Sequence, residues 1–343
     1  MLKLLIAGDE FIPSALFERH VKCRLSHLGL EITRCDLTQE ASLANLPDIR
    51  EYSGDPNLLI SKSSDVDAII TSFGPITASV IDSANRLKVI ACGRGGPVNV
   101  NVGRATEKKI PVIYCPGRNA DAVADYVLGL ILCLSRNILQ ADRYVRSGEW
   151  ANPREDTFEK PSGSELQDKT LGIIGFGQVG SRVRERAKGF GLRVLICDPF
   201  ILEKTEEFVD LDTLLVESDI ITLHARLADP LTPLLGAREF SRMKKGALFI
   251  NTSRGTAVDE TALCDALEGG PMAGAALDVF LQEPIPLVSR FLSFDNLILT
   301  PHVAGVSLEI PERTCKMLAD DLGLFFEGKR PHHVINPEVY ELQ

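Results

Sequence analysis

Three charged residues follow three apolar runs in the second half of the chain. They are Arg254 in FINTSRGTAVDE, Glu283 in ALDVFLQEPIP and His302 in LILTPHVAG. An arginine offers a flat fork of N–H donors that matches a carboxylate. A histidine can give or take a proton near neutral pH, and a glutamate beside it would fix one tautomer and raise the pKa. A cation, a proton donor and a partner for that donor suit hydride transfer to a ketone that also carries a carboxylate. Singly, each residue has a plain structural use: a surface ion pair, a solvated loop charge, a strand-end cap. At three successive strand ends they read as one site.

The hydride has to come from a cofactor, and TLGIIGFGQVGSRVRERAKGFGLRVLICDP offers a place for one. Gly175, Gly177 and Gly180 form G-x-G-x-x-G between a strand-like run and a helix-like run. Gly175 permits the tight turn, Gly177 lets backbone approach a pyrophosphate, and Gly180 lets helix and strand pack closely. The helix N-terminus adds free N–H groups and the positive end of its dipole. Asp198 stands 18 residues after Gly180, at the end of the next strand-like run. There it can accept hydrogen bonds from ribose hydroxyls and repel a 2′-phosphate, and Pro199 and Phe200 follow it rather than an arginine. NAD is therefore expected over NADP. A second glycine cluster, ACGRGGPVNV, holds Arg94, Gly95 and Gly96, and SFGP holds Phe73 and Gly74.

The elements that must carry these residues are legible as alternation. KLLIAG, EITRCDL, DAIITSF, LKVIACG and IPVIYCP read as strands separated by helical stretches such as SALFERHVKCRLSHLG. A long helix is expected over 121–147, then an exposed Pro- and charge-rich loop, EWANPREDTFEKPSGSELQDK. A second alternating set runs from KTLGIIGFG to LILTPHV, and the amphipathic PERTCKMLADDLGLFFEG closes the chain. Alternating strand and helix implies parallel sheets with helices on both faces, so the chain is α/β with two doubly wound parallel-sheet units. Ligands of such sheets bind at the carboxyl ends of the strands, where both glycine clusters and all three charged residues fall.

The 343 residues suffice for two domains, and the net charge of −10 argues for small-molecule work and against a broad nucleic-acid surface. The eight cysteines form no C-x-x-C pair and several sit in apolar runs, as expected of reduced thiols in a cytoplasmic protein. The N-terminus lacks the pattern of a signal peptide, and no apolar run is long enough for a membrane span. No membrane partner and no metal are expected.

In order and spacing, GFGQVG…CDP, NTSRGTAVDETAL, AGAALDVFLQEP and TPHVAG resemble the signatures of NAD-dependent D-isomer-specific 2-hydroxyacid dehydrogenases, the family of phosphoglycerate, glycerate and D-lactate dehydrogenases. The resemblance covers nearly the whole chain. It implies a Rossmann NAD-binding domain over 119–316 and a discontinuous flavodoxin-like substrate domain over 1–118 plus 317–343, with a cleft between. It also implies that the 121–147 helix belongs to a homodimer interface. Arg254 would bind the substrate carboxylate, His302 would be the acid/base and Glu283 its partner. Gln178 and Val179 would offer N–H groups to the pyrophosphate, and Asp198 would hold the adenosine ribose. His224, Ala225, Arg226 and Thr232 would flank the adenine side. Thr252, Ser253, Arg254, Asp278, His302, Ala304 and Gly305 would lie by the nicotinamide, with Asp278 bonding its carboxamide. Phe73, Gly74, Arg94, Gly95, Gly96 and Arg118 would face the substrate.

Some positions depart from the family pattern. HARL at 224–227 has Ala225-Arg226 where a proline two after the histidine is common. Arg94 and Arg118 stand where many members carry small or polar residues. A basic pair there suits an acidic extension on the substrate, a phosphate or a second carboxylate, with Arg94 the first candidate to meet it. The same fold also serves NAD(H)-sensing corepressors, which keep the three charged residues, so a binding protein is the alternative reading. A formate dehydrogenase-like activity would want glutamine in place of Glu283.

Overall fold

A computed structural model of the chain describes residues 1–37, 46–150, 162–202, 205–225 and 232–341. The chain divides into two compact units, Met1–Arg118 with Ser307–Gln343, and Asn119–Val306.

The first unit is built on five parallel strands: β1 (Leu2–Gly8), β2 (Leu30–Asp36), β3 (Ala68–Thr71), β4 (Val89–Cys92) and β5 (Val112–Ile113). Their order is β2-β1-β3-β4-β5, the flavodoxin-like order. Side chains alternate across a strand, so successive apolar residues feed two cores. Leu5, Ala7, Ile69 and Ile90 go to one face, and Leu4, Ile6, Ile70 and Val89 to the other. That is why every residue of β3 and β4 is buried, rather than every second one. The helix Ile310–Phe326 buries Cys315, Leu318 and Leu322 beside Phe17, Val21 and Leu25 of the helix Ser14–Leu25. Because this helix packs whole, the chain returns to the first unit at Ser307 rather than at the expected residue 317.

The second unit holds six parallel strands: β6 (Thr170–Ile174), β7 (Arg193–Cys197), β8 (Ile220–Leu223), β9 (Ala247–Asn251), β10 (Met272–Leu277) and β11 (Leu297–Leu299). The order is β11-β10-β9-β8-β6-β7. Phe208 makes a single parallel bridge to Ile196 of β7, at the end of the sheet. With that vestigial strand counted, the unit carries the Rossmann order, its third strand reduced to one pair.

The expected helix over 121–147 is two helices, Ala120–Ser135 and Ile138–Arg146, bent by 62°. The break falls at Asn137, whose φ of 53° is left-handed, a conformation asparagine tolerates better than most residues. Of the loop expected over 149–169, residues 151–161 lie outside the described residues. Five of the eight cysteines are buried, Cys133 and Cys197 are half-buried, and Cys23 is exposed. Among the described residues, no single helix is long and apolar enough to cross a membrane.

Candidate active site

The turn after β6 is shaped by its glycines. Gly175 has φ of 91°, and a Cβ there would lie 2.5 Å from the Ala225 nitrogen. A Cβ on Gly180 would lie 2.2 Å from the Gly175 carbonyl oxygen. Those two glycines are demanded by packing. Gly177 differs: it caps the helix Gln178–Gly189 with no side-chain hydrogen bond, and a Cβ there would meet nothing within 4 Å. The first N–H groups of that helix, those of Gln178 and Val179, are thus an uncapped cradle, the shape and charge that suit a diphosphate. Asp198 braces the turn from the end of β7. Its Oδ2 accepts the Phe176 N–H at 2.8 Å and its Oδ1 accepts the Phe200 N–H at 2.9 Å. Each oxygen keeps a lone pair for a sugar hydroxyl. The residues present therefore fit a dinucleotide.

His224 follows β8, and its Nε2 lies 3.0 Å from Thr222 Oγ1. Desolvation pushes its pKa down to about 3, so the ring is neutral throughout the physiological range. Ala225 lies against the Gly175 turn, and Thr232 is exposed. Arg226 falls outside the described residues.

Arg254 is positioned by a residue that sequence reasoning did not single out. Asn251, at the end of β9, is 1 % exposed. Its Oδ1 accepts both the Ser253 N–H and the Ser253 hydroxyl, and its Nδ2 donates to the Arg254 carbonyl at 3.0 Å. A buried amide thus folds the loop back on the strand and leaves the Arg254 guanidinium in solvent, its Nη1 donating to the Ser253 carbonyl at 2.7 Å. Thr252 Oγ1 is buried and finds no partner among the described residues, an acceptor and donor to spare for a bound group. At Gly255 the loop runs so close to the chain after β10 that a Cβ would lie 2.0 Å from the Phe280 carbonyl carbon.

That second loop carries Glu283. Its Oε1 accepts the Phe280 N–H at 3.0 Å, while the Leu281 N–H donates to Glu260 at 2.7 Å. The free oxygen of Glu283 then meets His302: Oε2 to Nδ1 is 2.8 Å. With Nδ1 turned to the carboxylate, Nε2 is the nitrogen left to exchange a proton with a ligand.

The His302 loop is held from beneath by Asp278, which is 1 % exposed. Asp278 Oδ1 accepts the Thr300 hydroxyl at 2.6 Å and the Val303 N–H at 3.0 Å, and Oδ2 accepts the Ala304 N–H at 2.8 Å. Three bonds pull the chain into so tight a turn that His302 itself adopts φ of 54°. Asp278 was expected to bind a carboxamide; three of its acceptor sites are spent on the loop, and one at Oδ2 remains. Gly305 is there because a Cβ would lie 2.4 Å from Asn119 Nδ2.

In the first unit, the expected substrate-facing residues gather at the carboxyl ends of β3, β4 and β5. Gly74 donates its N–H to Thr71 Oγ1, and its carbonyl accepts Asn99 Nδ2 at 2.9 Å. Gly95 and Gly96 have room around them: a Cβ on Gly96 would meet nothing within 4 Å. Asp9, missed in the sequence, is a buried hub just past β1. It accepts the N–H groups of Phe11 and Ile12 on one oxygen and that of Phe73 on the other. Its sequence signal was only an aspartate after a strand. Arg94 does not present a free fork. It donates to the Glu51 carbonyl at 2.7 Å and to the Glu51 carboxylate, and it stacks over Phe73.

The chain is similar to known proteins. The chain is 38 % identical to the glyoxylate reductase of Korarchaeum cryptofilum (strain OPF8) over 292 residues, which cover 83 % of this chain and 87 % of that one. It is 37 % identical to the glyoxylate reductase of Thermococcus gammatolerans (strain DSM 15229 / JCM 11827 / EJ3) over 342 residues, 97 % of each chain. The crystal structure of an NADPH-dependent glyoxylate/hydroxypyruvate reductase from Sinorhizobium meliloti, in complex with citrate, superposes with a TM-score of 0.76 at 27 % identity, over 98 % of this chain and 99 % of that one. The sequence model for the NAD-binding domain of D-isomer specific 2-hydroxyacid dehydrogenases matches residues 128–304, from the helix before the glycine turn to the histidine loop. With that match over more than half its length, the chain belongs to the D-isomer-specific 2-hydroxyacid dehydrogenase family.

Proposed function

We propose that this NAD-dependent dehydrogenase interconverts a 2-keto acid and its D-2-hydroxy acid, with Arg254 holding the substrate carboxylate, His302 exchanging the proton of the carbonyl oxygen, and Glu283 orienting the imidazole. The observation that carries the reading is the 2.8 Å contact between Glu283 Oε2 and His302 Nδ1, with the other Glu283 oxygen fixed by the Phe280 N–H. The nicotinamide, when bound, supplies the hydride or receives it. The chain does the rest. Arg254 directs two parallel donors at a carboxylate and so aligns the adjoining carbonyl. His302 protonates the oxygen as negative charge develops there, and Glu283 stabilises the cationic ring in the reverse direction. Phe73, Gly74, Arg94, Gly95, Gly96 and Arg118 are the substrate-facing set of the first unit in this reading.

The test is NADH oxidation with glyoxylate, hydroxypyruvate, phosphohydroxypyruvate and 2-oxoglutarate in parallel. Turnover of at least one is expected. Tight NADH binding with no turnover of any would overturn the reading in favour of a sensor.

Asp198 supports a preference for NADH. Its carboxylate, fixed by two N–H groups, would face a 2′-phosphate with like charge. Asp198→Asn is expected to shift the ratio of kcat/KM for NADH over NADPH toward NADPH by about 10- to 100-fold. An unchanged ratio would remove Asp198 as the selecting residue.

The same reading takes the protein as a cytoplasmic homodimer acting on small molecules. The helix Ile138–Arg146 supports the dimer: it buries none of its residues and exposes Ile138, Leu139 and Val145.

A further inference from the structure

Two arginines and two phenylalanines form one cluster in the first unit. Phe11 and Phe73 meet edge to face, with ring centroids 6.5 Å apart. Asp9 fixes both by accepting their backbone N–H groups. Arg94 lies over the Phe73 ring at 4.7 Å and Arg118 over the Phe11 ring at 5.4 Å. The two guanidinium groups are not equivalent. Arg94 has a carboxylate and a carbonyl, both from Glu51. Arg118 is partly buried and has, among the described residues, one long side-chain hydrogen bond, 3.4 Å from Nη1 to Thr314 Oγ1, and no carboxylate within ion-pair distance.

A guanidinium carries five N–H donors in a rigid fork. Desolvating it without a counter-ion is unfavourable, and burial does pull the Arg118 pKa below the usual arginine range. The Asp9 carboxylate, whose charge reaches Arg118, is already committed to three backbone N–H groups. The ring beneath Arg118 holds the fork in place while leaving, among the described residues, all but one of its donors unspent, which is how an anion-binding arginine is preorganised.

We infer that Arg118, rather than Arg94, is the anion-binding arginine of the first unit, and that it takes the oxygens of a carboxylate or phosphate group carried by the substrate. The favoured substrates are then 2-keto acids with a second acidic group. This rests on the dehydrogenase reading for the source of the anion, though not for the anion site itself. Free inorganic phosphate has the same chemistry, and the two sources separate by experiment.

The full-length protein is compared with Arg118→Gln and Arg118→Lys, with thermal unfolding as the check on folding. In the first arm, steady-state kinetics give KM for phosphohydroxypyruvate and 2-oxoglutarate relative to KM for glyoxylate. For Arg118→Gln that ratio is expected to rise about 10- to 100-fold for at least one diacid, with partial recovery in Arg118→Lys. In the second arm, calorimetry measures inorganic phosphate binding, and Arg118→Gln is expected to abolish it. Loss of phosphate binding with an unchanged KM ratio would assign the site to a free anion and overturn the substrate assignment. An unchanged ratio with unchanged phosphate binding would overturn the inference altogether. If no 2-keto acid is turned over by the parent protein, the dehydrogenase reading fails, and the phosphate arm alone decides whether Arg118 binds anions. Should Arg118→Gln fail to fold, the same comparisons on Arg118→Lys decide, since a point charge lacking the fork is expected to weaken both readouts.

Discussion

His302→Asn is expected to lower kcat for 2-keto acid reduction by about 10²- to 10⁴-fold while leaving the Kd for NADH within a few-fold of the parent value. Asparagine is the suitable replacement because position 302 has φ of 54°, and asparagine accepts that region where most residues are strained. The loop should survive the change. It is tied to Asp278 through Thr300, Val303 and Ala304, not through the imidazole. What is lost is a group that can deliver a proton. The effect should fall on kcat more than on KM, since proton transfer belongs to the transition state. Stopped-flow single turnovers separate chemistry from product release. A kcat within tenfold of the parent enzyme would remove His302 as the proton donor.

Much of the architecture was legible because the chain repeats one physical motif. An apolar run buried on both faces, then a punctuation residue, then a helix, can only stack as parallel strands with crossovers. β3, β4 and β6 are such runs, every residue of them buried. The glycine turn was legible for a different reason: Gly175 and Gly180 sit where a side chain has no room, so the geometry is written into residue type. The charged residues were legible from their place just after strands.

The rest was hidden because it depends on contacts across the sheet. Asn251 and Asp278 look like ordinary strand-end polar residues, and only the folded loops reveal how many backbone groups each satisfies. The boundary at Ser307 depends on how the helix Ile310–Phe326 packs against Ser14–Leu25, almost 300 residues away in the chain. The bend after Ser135 turns on one left-handed asparagine inside an otherwise helical pattern. Arg94 and Arg118 look alike as letters. They separate once Glu51 is found on one and a lone threonine hydroxyl on the other.

Arg254 is the other position with a large expected effect, and its structure separates chemistry from folding. The side chain is exposed, and its one hydrogen bond among the described residues is to the neighbouring Ser253 carbonyl. The loop is fixed through the Arg254 backbone oxygen, which Asn251 binds whatever the side chain. Arg254→Gln should therefore leave thermal stability near the parent value, as surface changes usually do. It should still remove a charge-assisted, two-pronged contact to the substrate carboxylate, which is about 2–5 kcal/mol when one partner of such a pair is truncated. That corresponds to a fall of about 30- to several-thousand-fold in kcat/KM. Arg254→Lys keeps the charge and loses the fork, so it should fall between the two, with kcat suffering because the carbonyl is no longer aligned. Added guanidinium ion should restore part of the activity of Arg254→Gln and none of that of His302→Asn, since a cation can replace the one and not the other. If Arg254→Gln keeps kcat/KM within tenfold of the parent, the substrate carboxylate is bound elsewhere, and the roles drawn from the three strand ends must be reassigned.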